Sequence, residues 1–402
     1  GCPSLVFLHN LLQGVMMRTF LLFVLAAATV AVSAPEDWSE PVMIADGDTY
    51  SCYDHPGIAL YTDLTYMIYS RFWDGTTKVN YLKCDQNGDI IVNPKLIIDT
   101  PYTTYPNAGI VLNNNNAYIF YNKTDRNIYY IKVDPNGKVI EEETFFVSSN
   151  IPNSIAVAIT IEDNNTMHLL YNTSTTHNYV AYSRWNPDTG ERLDIHNIVV
   201  DDPRVEDQFL NLSSLFDIAV DSEGNAHIFF NQTLRYEIGM YQLETKEVCW
   251  ARVDDDSTGE YTSRILSTFY TDGCNDVGPS GTVDDDDNIH VVWKGKLGPE
   301  YEHCGIYYKM DNDGNGLIGY KSILTDPDTS TGRMTIRYNN NILSVIAVEK
   351  NEQYVMAYLD LTGNVVEDFH PITDVMLDWD YNDRPDYIHH NNGFINIVWR
   401  EG

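Results

Sequence analysis

One short apolar strand recurs along this 402-residue chain. NIHVVWKGK begins at Asn288, FINIVWREG ends the sequence, and MHLLYNTS (from Met167), AYIFYNKT (from Ala117) and AHIFFNQT (from Ala226) are weaker copies. The copies align on a terminal aromatic, at Tyr69, Tyr121, Tyr171, Phe230, Trp293 and Trp399, with Ala347 in that place once. Successive copies lie 50 to 63 residues apart. A period of this size marks an array of similar units, none of which buries its apolar faces alone. Each unit has an opening strand (AGIVLN, FDIAVD), the apolar strand, a tyrosine-bearing strand (NIYYIKV, GIYYKM), a turn (DPNG, DNDGNG, DLTG) and a closing strand such as ETFFVSS. Asn-Gly and Asp-x-x-Gly supply the positive φ of tight hairpins. Helical periodicity is absent almost everywhere.

Four short strands per unit predict an all-β chain folded as a β-propeller of seven blades, or six if one unit is irregular. The fourth unit is irregular: LETKEVCWARVDDDSTGEYTS reads as an insertion, and no glycine turn follows Tyr241. The last unit holds only PDYIHHN and FINIVWR, while SEPVMIADG from Ser39 matches a closing strand. The N-terminal strand is therefore expected to join the last blade and close the ring, which removes two exposed sheet edges.

Met17 and Arg18 followed by FLLFVLAAATVAV and small residues up to Ala34 read as a secretory signal peptide. The apolar run is too short for a comfortable bilayer span. The expected organisation is an upstream stretch at 1–15, a signal peptide at 16–34 and one propeller domain at 35–402, secreted and extracellular, with no membrane span. The net charge is −33, from 58 acidic and 25 basic residues. Such a surface repels nucleic acid and anionic lipid, and attracts cations.

Secretion favours disulfides, and Cys52–Cys84 and Cys274–Cys304 are the pairs closest in sequence. Sequons at Asn122, Asn164, Asn172, Asn211 and Asn231 predict glycosylation. Two acidic turns suggest calcium. Asp311, Asp313 and Asn315 have the spacing of an EF-hand loop, although Ser322 stands where a bidentate Glu is needed. Asp284, Asp285, Asp286 and Asp287 crowd four carboxylates into one turn, a repulsion that a hard cation relieves. The densest polar stretch is YNDRPDYIHHNNG, which brings Asp383, Arg384, Asp386 and His389 to the start of the last blade, where a central channel is lined. Trp73, Trp185, Trp250 and Tyr301 are aromatic candidates for stacking on sugar rings.

DSEGNAHIFF at Asp221 and DDDDNIHVVW at Asp284 place an apolar strand ending in an aromatic after an Asp/Gly/Asn turn. In this the chain resembles secreted propellers of the sialidase and BNR-repeat type, over roughly residues 36–402 and at the level of architecture. The resemblance implies a propeller. It carries over no catalytic residue: the Asp-box pattern S-x-D-x-G-x-x-[WF] is nowhere complete, and SRFWDG stands where the family has an arginine-isoleucine-proline stretch.

With no catalytic constellation in view, the sequence leans away from an enzyme. It suggests an acidic matrix glycoprotein associated with calcium or biomineral, whose partners are cations, a mineral surface, glycans or extracellular proteins. The alternative is a glycoside hydrolase or lyase with its site over the channel, drawing its carboxylates from Asp383, Asp386 and Glu302.

Overall fold

The computed structural model describes residues 57–398, apart from 74–75, 102–107, 124, 126, 149–156, 163–164, 175–177, 201–204, 210–215, 239–240, 257, 268–276, 296–303, 325–333, 349–353, 373–385 and 390–394. The described residues form 27 strands and no helix, as the pattern of short apolar segments between turns requires. Every strand pairing is antiparallel between sequence neighbours, except at β13.

Sheet 1 is β1 (Gly57–Tyr61), β2 (Leu64–Trp73), β3 (Thr76–Asp85) and β4 (Ile90–Pro101). Sheet 2 is β5 (Ala108–Asn113), β6 (Asn116–Asn122), β7 (Asn127–Val133) and β8 (Val139–Ser148). Sheet 3 is β9 (Val157–Ile161), β10 (Met167–Ser174), β11 (Asn178–Trp185) and β12 (Arg192–Ile198). Sheet 4 holds β13 (Val205–Phe209), β14 (Phe216–Val220), β15 (Ala226–Ile238), β16 (Tyr241–Val253) and β17 (Tyr261–Ile265). Sheet 5 is β18 (Val277–Val283), β19 (Ile289–Gly295), β20 (Cys304–Met310) and β21 (Gly316–Leu324). Sheet 6 is β22 (Thr335–Asn339), β23 (Ile342–Val348), β24 (Tyr354–Leu359) and β25 (Val365–Pro371). A last pair, β26 (Asp386–His389) and β27 (Ile395–Val398), forms sheet 7.

The first strand of each sheet lies beside that of the next: β1 by β5, β5 by β9, β9 by β14, β14 by β18, β18 by β22 and β22 by β26, and β26 also lies beside β1. This is a β-propeller arrangement. The N-terminal strand expected to complete the last blade lies outside the described residues, as do the upstream stretch and the signal peptide.

Both faces of the inner strands are buried against neighbouring sheets, which is why they read as apolar runs and not as alternating ones. One face of sheet 2 meets sheet 1 through Tyr66, Ile68, Ile119 and Tyr121, and the other meets sheet 3 through Phe120, Tyr130, Leu169 and Tyr171. The hairpin turns use the residues their geometry demands. Asn114 and Asn115 have φ of 48° and 65°, and Asn340 and Asn341 have 50° and 65°, the double positive φ of a type I′ turn.

The fourth sheet departs from expectation. The apparent insertion is β16, paired residue by residue with β15 from Ala226↔Val253 to Ile238↔Tyr241. The strands are long enough for β13 to pair with the outer half of β15. Trp250 fills the inter-sheet seam here and is 1% exposed. Trp185 packs on Tyr130 and Phe146 in the seam of sheets 2 and 3. Neither tryptophan is a sugar platform. The side chain of Trp73 and the whole of Tyr301 lie outside the described residues.

Three sequons are also corrected. Asn122, Asn172 and Asn231 occupy the same place, directly after the aligned aromatic, and are 5%, 2% and 6% exposed. Asn231 Oδ1 accepts the Gly278 N–H of the next sheet at 2.8 Å. A glycan needs the amide nitrogen in water, so the fold shields all three, whereas Asn164 and Asn211 lie outside the described residues. Peptide mapping of the protein expressed in a glycosylating host is expected to find Asn122, Asn172 and Asn231 unmodified; a glycan on any of them would contradict this packing.

No disulfide joins described residues. Cys84 is a buried free thiol directed at the Thr65 carbonyl, 3.9 Å away, and burial raises its pKa to about 11. Cys52 and Cys274, the expected partners of Cys84 and Cys304, lie outside the described residues.

Candidate functional site

The acidic turns come first, because the calcium expectation rests on them. Asp284 is buried. Its Oδ1 accepts the N–H groups of Asp286 (3.0 Å) and Asn288 (2.8 Å), and its Oδ2 faces His290 Nε2 at 2.9 Å. Asp287 leans to the neighbouring sheet and accepts Ser222 N–H at 2.8 Å and Ser222 Oγ–H at 2.6 Å. In the other turn, Asp311 accepts the Asn315 N–H at 2.7 Å and its side-chain amide N–H at 3.0 Å. Asp313 pairs with Arg252 at 2.7 Å. Asp285 and Asp286 are exposed. Among the described residues no group of three or more His, Cys, Asp or Glu side chains is placed to hold a metal. Asp284 and Asp311 close their own turns, Asp287 and Asp313 bond to the neighbouring sheet, and Asp285 and Asp286 are exposed, so the calcium sites expected at Asp311, Asp313 and Asn315 and at Asp284, Asp285, Asp286 and Asp287 are not shown by this geometry.

The same turns reveal a device the sequence reading missed. His168, His227 and His290 stand three residues before the aligned aromatic in sheets 3, 4 and 5, and all are 0% exposed. Each presents Nε2 to a carboxylate: Glu162, Asp221 (3.1 Å) and Asp284 (2.9 Å). Each presents Nδ1 to the polar atom of an aromatic side chain: Tyr182 Oη at 2.7 Å, Trp250 Nε1 at 3.3 Å and Tyr307 Oη at 2.8 Å. Trp250 only donates, so His227 Nδ1 accepts and its proton sits on Nε2, facing Asp221. Acid–His–Tyr sets often serve proton transfer. Here full burial excludes a substrate, and the sets tie the turns to the core.

The inner strands hold a different cluster. Ser280 Oγ, on β18, donates to Asp217 Oδ2, on β14, at 2.6 Å, and it accepts the Ile336 N–H of β22 at 3.2 Å. Gly281 N–H also reaches Asp217 Oδ2, at 3.4 Å. Arg337 Nη1 donates to its neighbour's carbonyl, Ile336 O, at 2.9 Å and lies 3.4 Å from Asp217 Oδ2. Its guanidinium carbon is 5.7 Å from the ring centre of Tyr387, on β26. The Tyr387 hydroxyl donates to Ser344 O at 2.6 Å. One polar chain thus crosses four successive inner strands.

The register makes this cluster one-sided. Gly57, Gly109, Ala158, Asp217, Ser280, Thr335 and Asp386 pair with Ile68, Phe120, Leu170, Phe229, Val292, Ile346 and Val398. Those partners all precede the aligned aromatic or Ala347, so the seven residues share one level. Sheets 1 to 3 place glycine or alanine there, and sheets 4 to 7 place oxygen-bearing side chains. Of the residues expected from sequence, Asp386 and His389 have their backbone on β26, and their side chains lie outside the described residues. Asp383, Arg384 and Glu302 lie outside the described residues. Asp217, Ser280 and Arg337 escaped the sequence reading because no local motif marks them. Aligning the units by their aromatics, then reading the column at the opening strand, would have found Asp217 and Ser280.

No known protein-family profile and no curated protein sequence matches this chain. Solved structures do. The polysaccharide lyase Uly1 is 9% identical with a TM-score of 0.52, covering 92% of this chain and 91% of its own. The BP39L lectin from Burkholderia pseudomallei is 10% identical with a TM-score of 0.54, covering 88% and 97%. The Penicillium chrysogenum alpha-L-arabinanase is 9% identical with a TM-score of 0.46, covering 76% and 93%. The lyase and the lectin support the propeller fold, and the sialidase and BNR-repeat type is left unsupported. The matrix and biomineral reading is corrected: the proteins of like fold are a lyase and a lectin. No helix among the described residues is long and apolar enough to cross a membrane.

Proposed function

We propose that this chain is a secreted, carbohydrate-directed β-propeller whose glycan site lies at the polar arc of its inner strands, with the partly exposed Arg337 as the contact and the buried Asp217 and Ser280 as the groups that position it. One observation carries the reading: at a single level of the ring, polar groups are gathered on one side and absent from the other. A purely structural repeat has no reason for that asymmetry, because the seams between sheets 1 to 3 pack well with glycine and alanine there. A carboxylate and a guanidinium side by side suit sugar hydroxyls, which both donate and accept. The fold hosts a lectin and a polysaccharide lyase elsewhere, which agrees with this reading by analogy alone. We take the ring to have seven blades, with β26 and β27 opening the last and the strand after Ser39 completing it; the place of β26 beside both β22 and β1 favours this count over six.

The test is a glycan array and a polysaccharide depolymerisation screen with the full secreted chain. Binding or cleavage of at least one glycan is expected, weakened about tenfold or more in Asp217→Ala and Arg337→Ala, since each removes a charged hydrogen-bonding partner. Engagement of no glycan at all overturns the reading. So does binding that both substitutions leave intact in folded protein.

A further inference from the structure

We infer that the seam between sheets 3 and 4 holds an internal binding site for water, more than one molecule of it, built by Asn172, Gln232 and Thr245. The site is separate from the polar arc and does not depend on the glycan reading.

The lengthened hairpin of sheet 4 makes the site. On β15, Phe230 packs in the apolar seam with Leu170 and Val180 of sheet 3 and Cys249 of β16. Side chains alternate along a strand, so Gln232 shares the face of Phe230. Glu247 stands directly opposite Gln232, and Thr245 opposite Leu234, which puts both on that same face. Across the seam, Asn172 is paired with Val180 and points with it toward sheet 4. Neither register is broken by a bulge over these residues. One end of an apolar seam is therefore polar on both of its walls. LETKEVCWARV reads in sequence as an insertion; its outer half brings Thr245 and Glu247 to this wall.

These side chains are out of reach of solvent: Asn172 is 2% exposed, Gln232 1%, Glu247 3% and Thr245 4%. Glu247 accepts the Ser267 hydroxyl. Asn172 Oδ1, Gln232 Oε1, Gln232 Nε2 and Thr245 Oγ1 have no hydrogen-bond partner among the described residues. The next seam shows how the fold meets such a need with its own backbone, since Asn231 Oδ1 accepts the Gly278 N–H. A buried polar atom left unbonded loses its hydration and gets nothing back. Several such losses in one seam would rival the whole stability of a domain. The guest must therefore give hydrogens to two amide oxygens and accept one from an amide nitrogen. A metal ion would take the oxygens and leave the Gln232 N–H unmet. Burial this complete has no room for a sugar ring. Water donates and accepts, and internal water serves groups of this kind. The oxygen and nitrogen of the Gln232 amide diverge, so one water cannot serve both.

The experiment is oxygen-17 magnetic relaxation dispersion on the full chain, which counts water molecules held inside a protein for longer than nanoseconds. Gln232→Met keeps the length of the side chain and removes both polar atoms. Thr245→Val keeps the shape and removes the hydroxyl. Glu142→Gln, at an exposed position of β8, is the control. Both seam variants are expected to hold fewer long-lived waters than the parent, Gln232→Met losing the more, and the control to match the parent. An unchanged count in both folded seam variants overturns the inference. A high-resolution electron-density map of the parent decides independently of whether the variants fold. Ordered waters on Asn172 Oδ1 and on both ends of the Gln232 amide support the site; those atoms bonded to protein groups, or to a metal ion, overturn it.

Discussion

Gly363→Ala lowers the free energy of unfolding by roughly 2–5 kcal/mol, the sum expected for a left-handed residue gaining a side chain and for overpacking a dense seam. Gly363 sits in the turn after β24 with φ of 74°. A Cβ there stands 2.9 Å from Tyr307 Cζ in the next sheet, and closer still to two other ring carbons. Tyr307 has nowhere to go. It is 0% exposed and its hydroxyl lies 2.8 Å from His290 Nδ1. The substitution therefore strains the turn, displaces the ring and unseats the His290 set together. Chemical denaturation of parent and variant measures the loss. A change below about 0.5 kcal/mol, the range of ordinary surface substitutions, would show that the seam between sheets 5 and 6 is looser than described.

Asp284→Asn is the second large effect, and it is coupled to pH. Asp284 is buried with His290 and accepts from two backbone N–H groups, the Asn288 amide and His290. An amide nitrogen at one of these positions meets donors only. The expected loss is about 3 kcal/mol, as for removing one partner of a buried charged set. For Asp284, burial alone would raise the pKa, but the hydrogen bonds from His290 and Asn288 outweigh it and hold the carboxyl well below its ordinary 3.8. Asp221 behaves alike: burial pushes it up, and His227 and Asn225 bring it down to about 2. For His290, burial lowers the pKa from 6.5, and the opposing hydrogen bond to Asp284 does not cancel it.

All three shifts have the same sign in their effect on stability. Each folded-state pKa is depressed, so the unfolded chain binds protons that the folded chain does not. The stabilisation is complete above pH 6.5 for His290 and above 3.8 for the two aspartates, and it is lost as the pH falls. Stability is expected to decline from about pH 6.5 and more steeply below 3.8, with Asp221 alone contributing about 2 kcal/mol from its shift. In Asp284→Asn the steep acid limb is shallower. Urea midpoints measured from pH 3 to pH 8 decide the matter, and a parent curve that is flat across this range would refute the assignment.

The repeat carried most of the fold. Period, terminal aromatics and Asp/Asn/Gly turns fix where strands begin and end, because local backbone preferences and apolar runs act within a few residues. The type I′ turns at Asn114–Asn115 and Asn340–Asn341 are of this kind. So are the three buried histidines, visible in sequence as one column once the aromatics are aligned.

What the sequence obscured were partners. Asp284 to Asp287 look like a cation trap in one dimension. In three, Asp284 turns inward to His290 and Asp287 reaches across to Ser222. Asn122, Asn172 and Asn231 read as sequons because a Ser or Thr stands two residues on, yet folding buries them. The joining of Asp217, Ser280, Arg337 and Tyr387 spans more than 160 residues of chain and exists only because inner strands of successive sheets lie side by side. The sequence by itself determined the strands, the turns and the all-β class, since these answer to neighbours along the chain. Only the tertiary structure decided which partner each carboxylate meets, since a charge is paired by what folding brings across the seam.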